Sequence, residues 1–238
     1  MAKLIGLIGG MSWESTEIYC RRLNELANQA RGGHHAANFL VYSVDFGEVE
    51  AMQSTGRWKD AADLLIDAAR RLERSGVDEI ILCTNTMHIV AEEIESSIGT
   101  PFLHIADATG RHLVAAGIQK AGLLATKYTM EEEFYKNRLL NNFGLEILIP
   151  NKDDRIKINE IIYSELCHGV VTDASKGTFA AIGHELMHSG AQGVILGCTE
   201  IGMLLKDGDL PIPIFDSALI HADEASKAAF EMPPSWAP

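Results

Sequence analysis

With 238 residues and 47% hydrophobic content, the chain is long enough for one large domain or two of about 110 residues each. Its formal charge of −13 excludes a nucleic-acid partner, because phosphate backbones are gripped by clustered Lys and Arg. The absence of any uncharged apolar run of about 18 residues excludes a membrane span. The start, M-A-K-L-I-G-L-I-G-G-M, is basic then apolar, but the apolar part is too short for a signal peptide and enters a Gly turn. It reads as a first strand over residues 4–8, and the lack of an export signal predicts the cytoplasm.

A helix follows over residues 14–30 and a strand over 39–44. Residues 58–75 form a helix with apolar positions at Ala62, Leu65, Ile66, Ala69 and Leu72. Residues 79–83 are a strand and 87–97 a helix. This β-α alternation predicts parallel sheets with helices on both faces.

The pattern then restarts. K-A-G-L-L-A-T from Lys120 echoes K-L-I-G-L-I-G-G from Lys3, and E-F-Y-K-N-R-L from Glu133 echoes E-I-Y-C-R-R-L from Glu17, with Tyr135 answering Tyr19. Residues 145–149 and 194–196 are strands, and 156–168 and 175–187 are helices. P-I-P-I-F-D-S-A from Pro211 loosely answers P-F-L-H-I-A-D-A from Pro101. Echoes in the same order imply duplication, hence an α/β protein of two pseudosymmetric parallel-sheet domains. The expected halves are 1–112 plus 213–238, and 113–212, joined near 111–119. The last helix, from about Ala218, returns to the first half. In open α/β sheets ligands sit outside the carboxyl ends of strands, so the active site is expected in the cleft between the halves.

One phrase occurs twice. S-G-V-D-E-I-I-L-C-T-N-T runs from Ser75, and S-G-A-Q-G-V-I-L-G-C-T-E runs from Ser189. Each is a turn, a buried strand and a polar strand end. Aligned on Ser-Gly, the copies set Cys198 opposite Thr84 rather than Cys83. Neighbouring strand residues point to opposite faces, so Cys83 and Thr84 cannot both face a cleft if the strand is regular there. The four cysteines, Cys20, Cys83, Cys167 and Cys198, lack C-x-x-C spacing and read as free thiols. Cys198 follows Gly197 beyond its strand, where backbone N–H groups can lower a thiol's pKa. Asn85, Thr86, Thr126 and Thr129 suit helix capping, and the same groups can bind carboxylates.

Two motifs mislead. G-L-I-G-G-M lacks the G-x-G-x-x-G spacing of a dinucleotide turn and reads instead as a tight turn that lets Met11 and Ser12 line a cleft. His184-Glu185-Leu186-Met187-His188 matches the zinc-protease pattern, yet it aligns with Arg70 and Arg74 and is a charged helix face. No metal is expected.

Together, G-L-I-G-G-M-S, C-T-N-T-M-H at Cys83, L-L-A-T-K-Y-T at Leu123 and G-C-T-E at Gly197 resemble the aspartate/glutamate racemase family over essentially the whole chain. The likeness is strongest to bacterial amino-acid racemases of broader substrate range. It implies a cofactor-independent racemase in which two cysteines on opposite faces of the α-carbon exchange its proton, one as thiolate base and the other as thiol acid. The family's second cysteine carries over to Cys198. Its first sits directly before Asn-Thr, which here is Thr84, with Cys83 one residue early. The resemblance assigns Asn85, Thr86, Thr126 and Thr199 to the substrate's α-carboxylate and α-amino group, and Met11 and Glu200 to the site lining.

Aspartate-specific members carry an Arg after the second strand and a Lys in a later helix. Here the first position reads D-F-G-E-V-E-A-M-Q-S, with Glu48, Glu50 and Gln53, and the second falls on Cys167 or His168. A second substrate carboxylate would lack a cation, and an unpaired charge is costly. A neutral or polar side chain near Gln53 and Cys167 is therefore expected, not strict aspartate specificity. The alternatives are a superfamily activity such as hydantoin racemisation, maleate isomerisation or malonate decarboxylation, or a non-catalytic binding module that lost its first cysteine. The expected partner is a small amino acid, and the default assembly is a homodimer.

Overall fold

A computed structural model describes residues 3–229 as two compact units. The first comprises the described residues up to Cys83, then Val90–His104, and those from His221 onward. Its sheet is parallel in the order β2-β1-β3-β4, formed by β1 (Ile5–Gly9), β2 (Phe39–Ser43), β3 (Glu79–Leu82) and β4 (Phe102–Leu103). All five residues of β1 are buried, as the near-continuous apolar run of a central parallel strand requires. Helix α1 (Trp13–Arg31) starts where the Ser12 hydroxyl accepts from the Ser15 amide, and it buries Ser15, Tyr19, Leu23 and Ala27 in a single i, i+4 stripe. Helix α3 (Trp58–Arg74) buries Ala61, Ala62, Leu65, Ala68, Ala69 and Leu72. Between β2 and α3, the D-F-G-E-V-E-A-M-Q-S segment forms helix α2 (Phe46–Ser54), capped by Asp45 accepting from the Gly47 amide. Helix α4 (Ala91–Ser97) precedes β4.

The second unit comprises Thr84–Ile89 and Ile105–Ile220. Its parallel sheet runs β6-β5-β7-β8, from β5 (Lys120–Ala125), β6 (Glu146–Leu148), β7 (Gly193–Gly197) and β8 (Ile214–Asp216). The helices are α5 (Ile105–Ala115), α6 (Lys127–Glu131), α7 (Glu133–Phe143), α8 (Lys152–Ser164), α9 (Asp173–His188) and α10 (Ile201–Leu204), with α11 (Ser217–Ala229) beginning here. The two sheets share the same edge-centre-centre-edge order of β-α units, as the repeated phrases predict.

The units divide at 104/105 and 220/221, where the sequence reading divides at 112/113 and 212/213. The joint expected near 111–119 overlaps only the end of helix α5. Residues Ile105, Ala106, Ala108 and Leu113 of this helix enter the core of the second unit, and its Asp107 takes paired bonds of 2.7 Å from Arg138 on α7. Correspondingly, α11 from His221 onward belongs with α1, where Arg22 donates to Asp223 at 2.6 and 2.8 Å. The echo of Tyr19 and Tyr135 holds physically: both rings are fully buried, and each stands three residues before an Arg that makes such a pair.

The described helices include none long and apolar enough to cross a membrane. The Gly turn after β1 is closed by its own chain. Gly10 has φ 95°, a Cβ there would lie 2.1 Å from the Val44 carbonyl oxygen, and its amide donates to the Thr16 hydroxyl at 2.8 Å.

Candidate active site

Parallel pairing places Ala125 opposite Gly197, so Thr126 and Cys198 leave adjacent strands at the same level, both at carboxyl ends. Thr126 caps α6, accepting from the Thr129 amide. Its hydroxyl also lies 2.8 Å from that of Thr86 and 3.2 Å from that of Thr129, while Thr86 and Thr129 are 3.3 Å apart. Three buried hydroxyls thus form a triangle whose protons can turn toward an incoming carboxylate.

Cys198, Thr199 and Glu200 form the second group. The Glu200 side chain is buried, and its Oε2 accepts from the Cys198 thiol at 3.0 Å and from the Thr199 hydroxyl at 2.6 Å. Cys167 donates toward Oε1 at 3.9 Å. A carboxylate only accepts, so this ring of donors suits a buried Glu. Burial pushes the Cys198 thiol well up, and the Glu200 charge, the neighbouring Cys167 and the bond to Glu200 push it further. The Glu200 amide acts in the opposite direction, as expected of a backbone N–H, but it is outweighed. The expectation of a lowered Cys198 pKa is thereby corrected: burial first, and then the carboxylate two residues on, outweigh a single amide.

Ser217, at the start of α11, joins the two strand-end segments. Its hydroxyl donates to the Leu196 carbonyl at 2.6 Å, and the Asn85 amide donates to Ser217 Oγ at 3.0 Å. The segment bearing Thr84 is thus tied to the strand that ends before Cys198. The sequence reading missed Ser217 as a site residue; the F-D-S-A echo marked its segment but not its role.

Cys83 and Thr84 part company at the unit boundary. Cys83 is fully buried, its amide pairs with the Ile8 carbonyl at 2.9 Å, and its carbonyl accepts from Ser15 at 2.6 Å. Burial, then the neighbouring Cys20, push its thiol well up. Thr84 keeps 8% exposure and begins a turn that leads into a 3₁₀ helix, Thr86–Val90. Met11 and Gln53 are buried in the first unit, at the end of the β1 turn and in the last turn of α2. Among the predicted residues, then, the second unit gathers Thr84, Asn85, Thr86, Thr126, Cys167, Cys198, Thr199 and Glu200, while Met11, Gln53 and Cys83 belong to the other.

His188 is exposed and His184 half-buried on α9. Among the described residues no group of three or more His, Cys, Asp or Glu is arranged to hold a metal.

Comparison with known proteins yields one family. The Asp/Glu/hydantoin racemase model matches residues 8–225. A broad-specificity amino-acid racemase of Bacillus subtilis is 26% identical over 231 residues, covering 90% of this chain and 93% of the relative. The solved structure of a candidate Asp/Glu racemase from Yersinia pestis is 46% identical with TM-score 0.89, covering 96% of this chain and 99% of that one. An aspartate racemase homologue from Pyrococcus horikoshii is 34% identical with TM-score 0.83, covering 95% and 99%. With its two β-α sheets and a family match that spans nearly all of it, the chain belongs to the Asp/Glu/hydantoin racemase family.

Proposed function

We propose that the protein is a cofactor-independent amino-acid racemase in which Cys198 works on one face of the α-carbon and Thr84, relaying through water, on the other. The observation that carries this reading is the Asn85–Ser217–Leu196 link, which couples the Thr84 turn to the strand ending at Cys198. An amino acid's α-proton is a very weak acid, so preorganised donors must stabilise the carbanion. The hydroxyls of Thr86, Thr126 and Thr129 are such donors.

At rest Cys198 is a thiol, so the cycle starts with transfer of its proton to Glu200. The thiolate takes the α-proton and becomes a thiol again, leaving the electron pair on carbon. Water ordered by Thr84 protonates the opposite face, and the hydroxide formed recovers its proton from Glu200. One C–H bond breaks, one forms, and nothing is oxidised. A Thr hydroxyl does not titrate near neutrality as a thiol does, so proton removal from the Thr84 side is the slower direction in kcat. Because the enantiomers have equal free energy, kcat/KM is equal in both directions and KM compensates.

The substrate side chain is proposed to be neutral or polar. Where aspartate-specific relatives carry a Lys, this chain offers Cys167 or His168 and no Lys, and Cys167 faces Glu200. Incubating a panel of amino acids with the enzyme in D2O tests the reading: loss of the α-proton NMR signal supports it, and no exchange across the panel sinks it.

A further inference from the structure

His88, the last residue of the C-T-N-T-M-H motif, is 2% exposed, and both its ring nitrogens bond to backbone. Nδ1 lies 2.7 Å from the Thr84 carbonyl oxygen, and Nε2 accepts from the Ile105 amide at 3.2 Å. A carbonyl can only accept and an amide N–H can only donate, so these two partners fix one tautomer, with the proton on Nδ1 and a lone pair on Nε2. Protonation of Nε2 would set two donors against each other.

The ring therefore works as a fixed strut between two backbone groups. On one side it holds the Thr84 carbonyl. The His88 amide also donates to Asn85 O at 3.1 Å, so one residue closes the turn twice and fixes the peptide that orients Thr84 and Asn85. On the other side it caps the first amide of α5, one of the N–H groups a helix start leaves without an internal partner. We infer that His88 is a positioning residue for the Thr84 side of the site, acting through the Thr84 carbonyl and anchored to the start of α5. The catalytic sense of this inference rests on the racemase reading above.

Two isosteres separate the halves of the strut. His88→Asn keeps a donor near Nδ1 and loses the acceptor at Nε2, whereas His88→Gln keeps an acceptor near Nε2 and loses the donor. The expected result is that H88N retains most of kcat for deuterium exchange, while H88Q loses about 10–100-fold in kcat with little change in KM, the scale set by misplacing a reacting group. Equal losses in both variants, or a loss carried by KM alone, would overturn the assignment. Because either variant can fail to fold, histidine ¹⁵N NMR of the wild-type protein gives an independent test. One ring must appear as the Nδ1–H tautomer and stay so from about pH 5 to 8, across the ordinary histidine pKa; its absence sinks the proposal. A wild-type protein without exchange on any amino acid would instead remove the racemase reading and the catalytic sense of this one together.

Discussion

The Cys198 thiol donates to Glu200 Oε2 over 3.0 Å, so the group meant to act as a base rests with its proton held by a buried carboxylate. The Thr199 hydroxyl donates to the same oxygen. In the proposed mechanism the thiol proton moves onto Glu200 before Cys198 acts as a base, against both burial and the Glu200 charge.

This arrangement fixes the sign of a pH effect. Burial and the Glu200 charge both raise the Cys198 pKa, so alkylation by iodoacetamide, which reports thiolate, should rise with pH and reach its midpoint above the ordinary thiol value of about 8.5. Glu200→Gln removes the charge while preserving shape, so the midpoint should fall toward that value. Activity should fall at the same time, because the acceptor for the thiol proton is gone. An unchanged midpoint in E200Q would show that burial alone sets the shift.

Replacing the thiol tests the proton-transfer roles directly. Cys198→Ala should abolish α-proton exchange from both enantiomers. Thr84→Cys should preserve exchange or raise kcat in the slow direction, since it supplies a thiol where the wild type has a hydroxyl. Cys83→Ser should retain activity, because Cys83 is enclosed in the first unit. An inactive C83S that remains folded by circular dichroism would move the catalytic assignment from Thr84 to Cys83. Matched kcat and matched KM in both directions would separately rule out the asymmetry.

The repeat made much of this legible. Aligning the two Ser-Gly phrases puts Thr84 and Cys198 at equivalent strand ends, and the structure keeps the β-α order that the alignment implies. Residues that depend on distant partners were less visible. Ser217 matters because Leu196 and Asn85 converge on it, and nothing local in F-D-S-A says so. The expected boundary at 112/113 falls inside helix α5, because the pair between its Asp107 and Arg138 is invisible along the chain. Helix α2 did leave a trace: Asp45 followed by Glu48 has the spacing of a capping box, but its weakly amphipathic residues gave no clear period.

The pair between Arg138 and Asp107 offers a test of why α5 belongs to the second unit. Burial raises the Asp107 carboxyl, but bonds from Arg138, its charge, Asn142 and Arg111 outweigh this and leave the pKa lowered. A lowered carboxylate stabilises above the unfolded-state value of about 3.9 and loses that contribution as pH falls through the folded value. Asp107→Asn should therefore cost about 1–2 kcal/mol at neutral pH, on the scale of a charged hydrogen bond. The gap from wild type should close in acid. Urea denaturation at a series of pH values measures it, and a gap that stays constant into acid would assign the cost to packing.

Ser217→Ala separates positioning from folding most sharply. The substitution removes a single oxygen, leaves the Leu196 carbonyl and the Asn85 amide without that partner, and adds no bulk. Unsatisfied buried groups cost about 1–3 kcal/mol, which predicts a melting temperature lowered by a few degrees for a chain of this size. The larger effect should be kinetic. With its tether gone, Asn85 no longer fixes the Thr84 turn relative to Cys198, so kcat should fall by about 10-fold or more while KM changes less. Ser217→Thr keeps the hydroxyl and should restore part of kcat if the added methyl is tolerated. An S217A enzyme that loses stability yet keeps wild-type kcat would make Ser217 a helix-start residue alone and leave Thr84 and Cys198 positioned by other means.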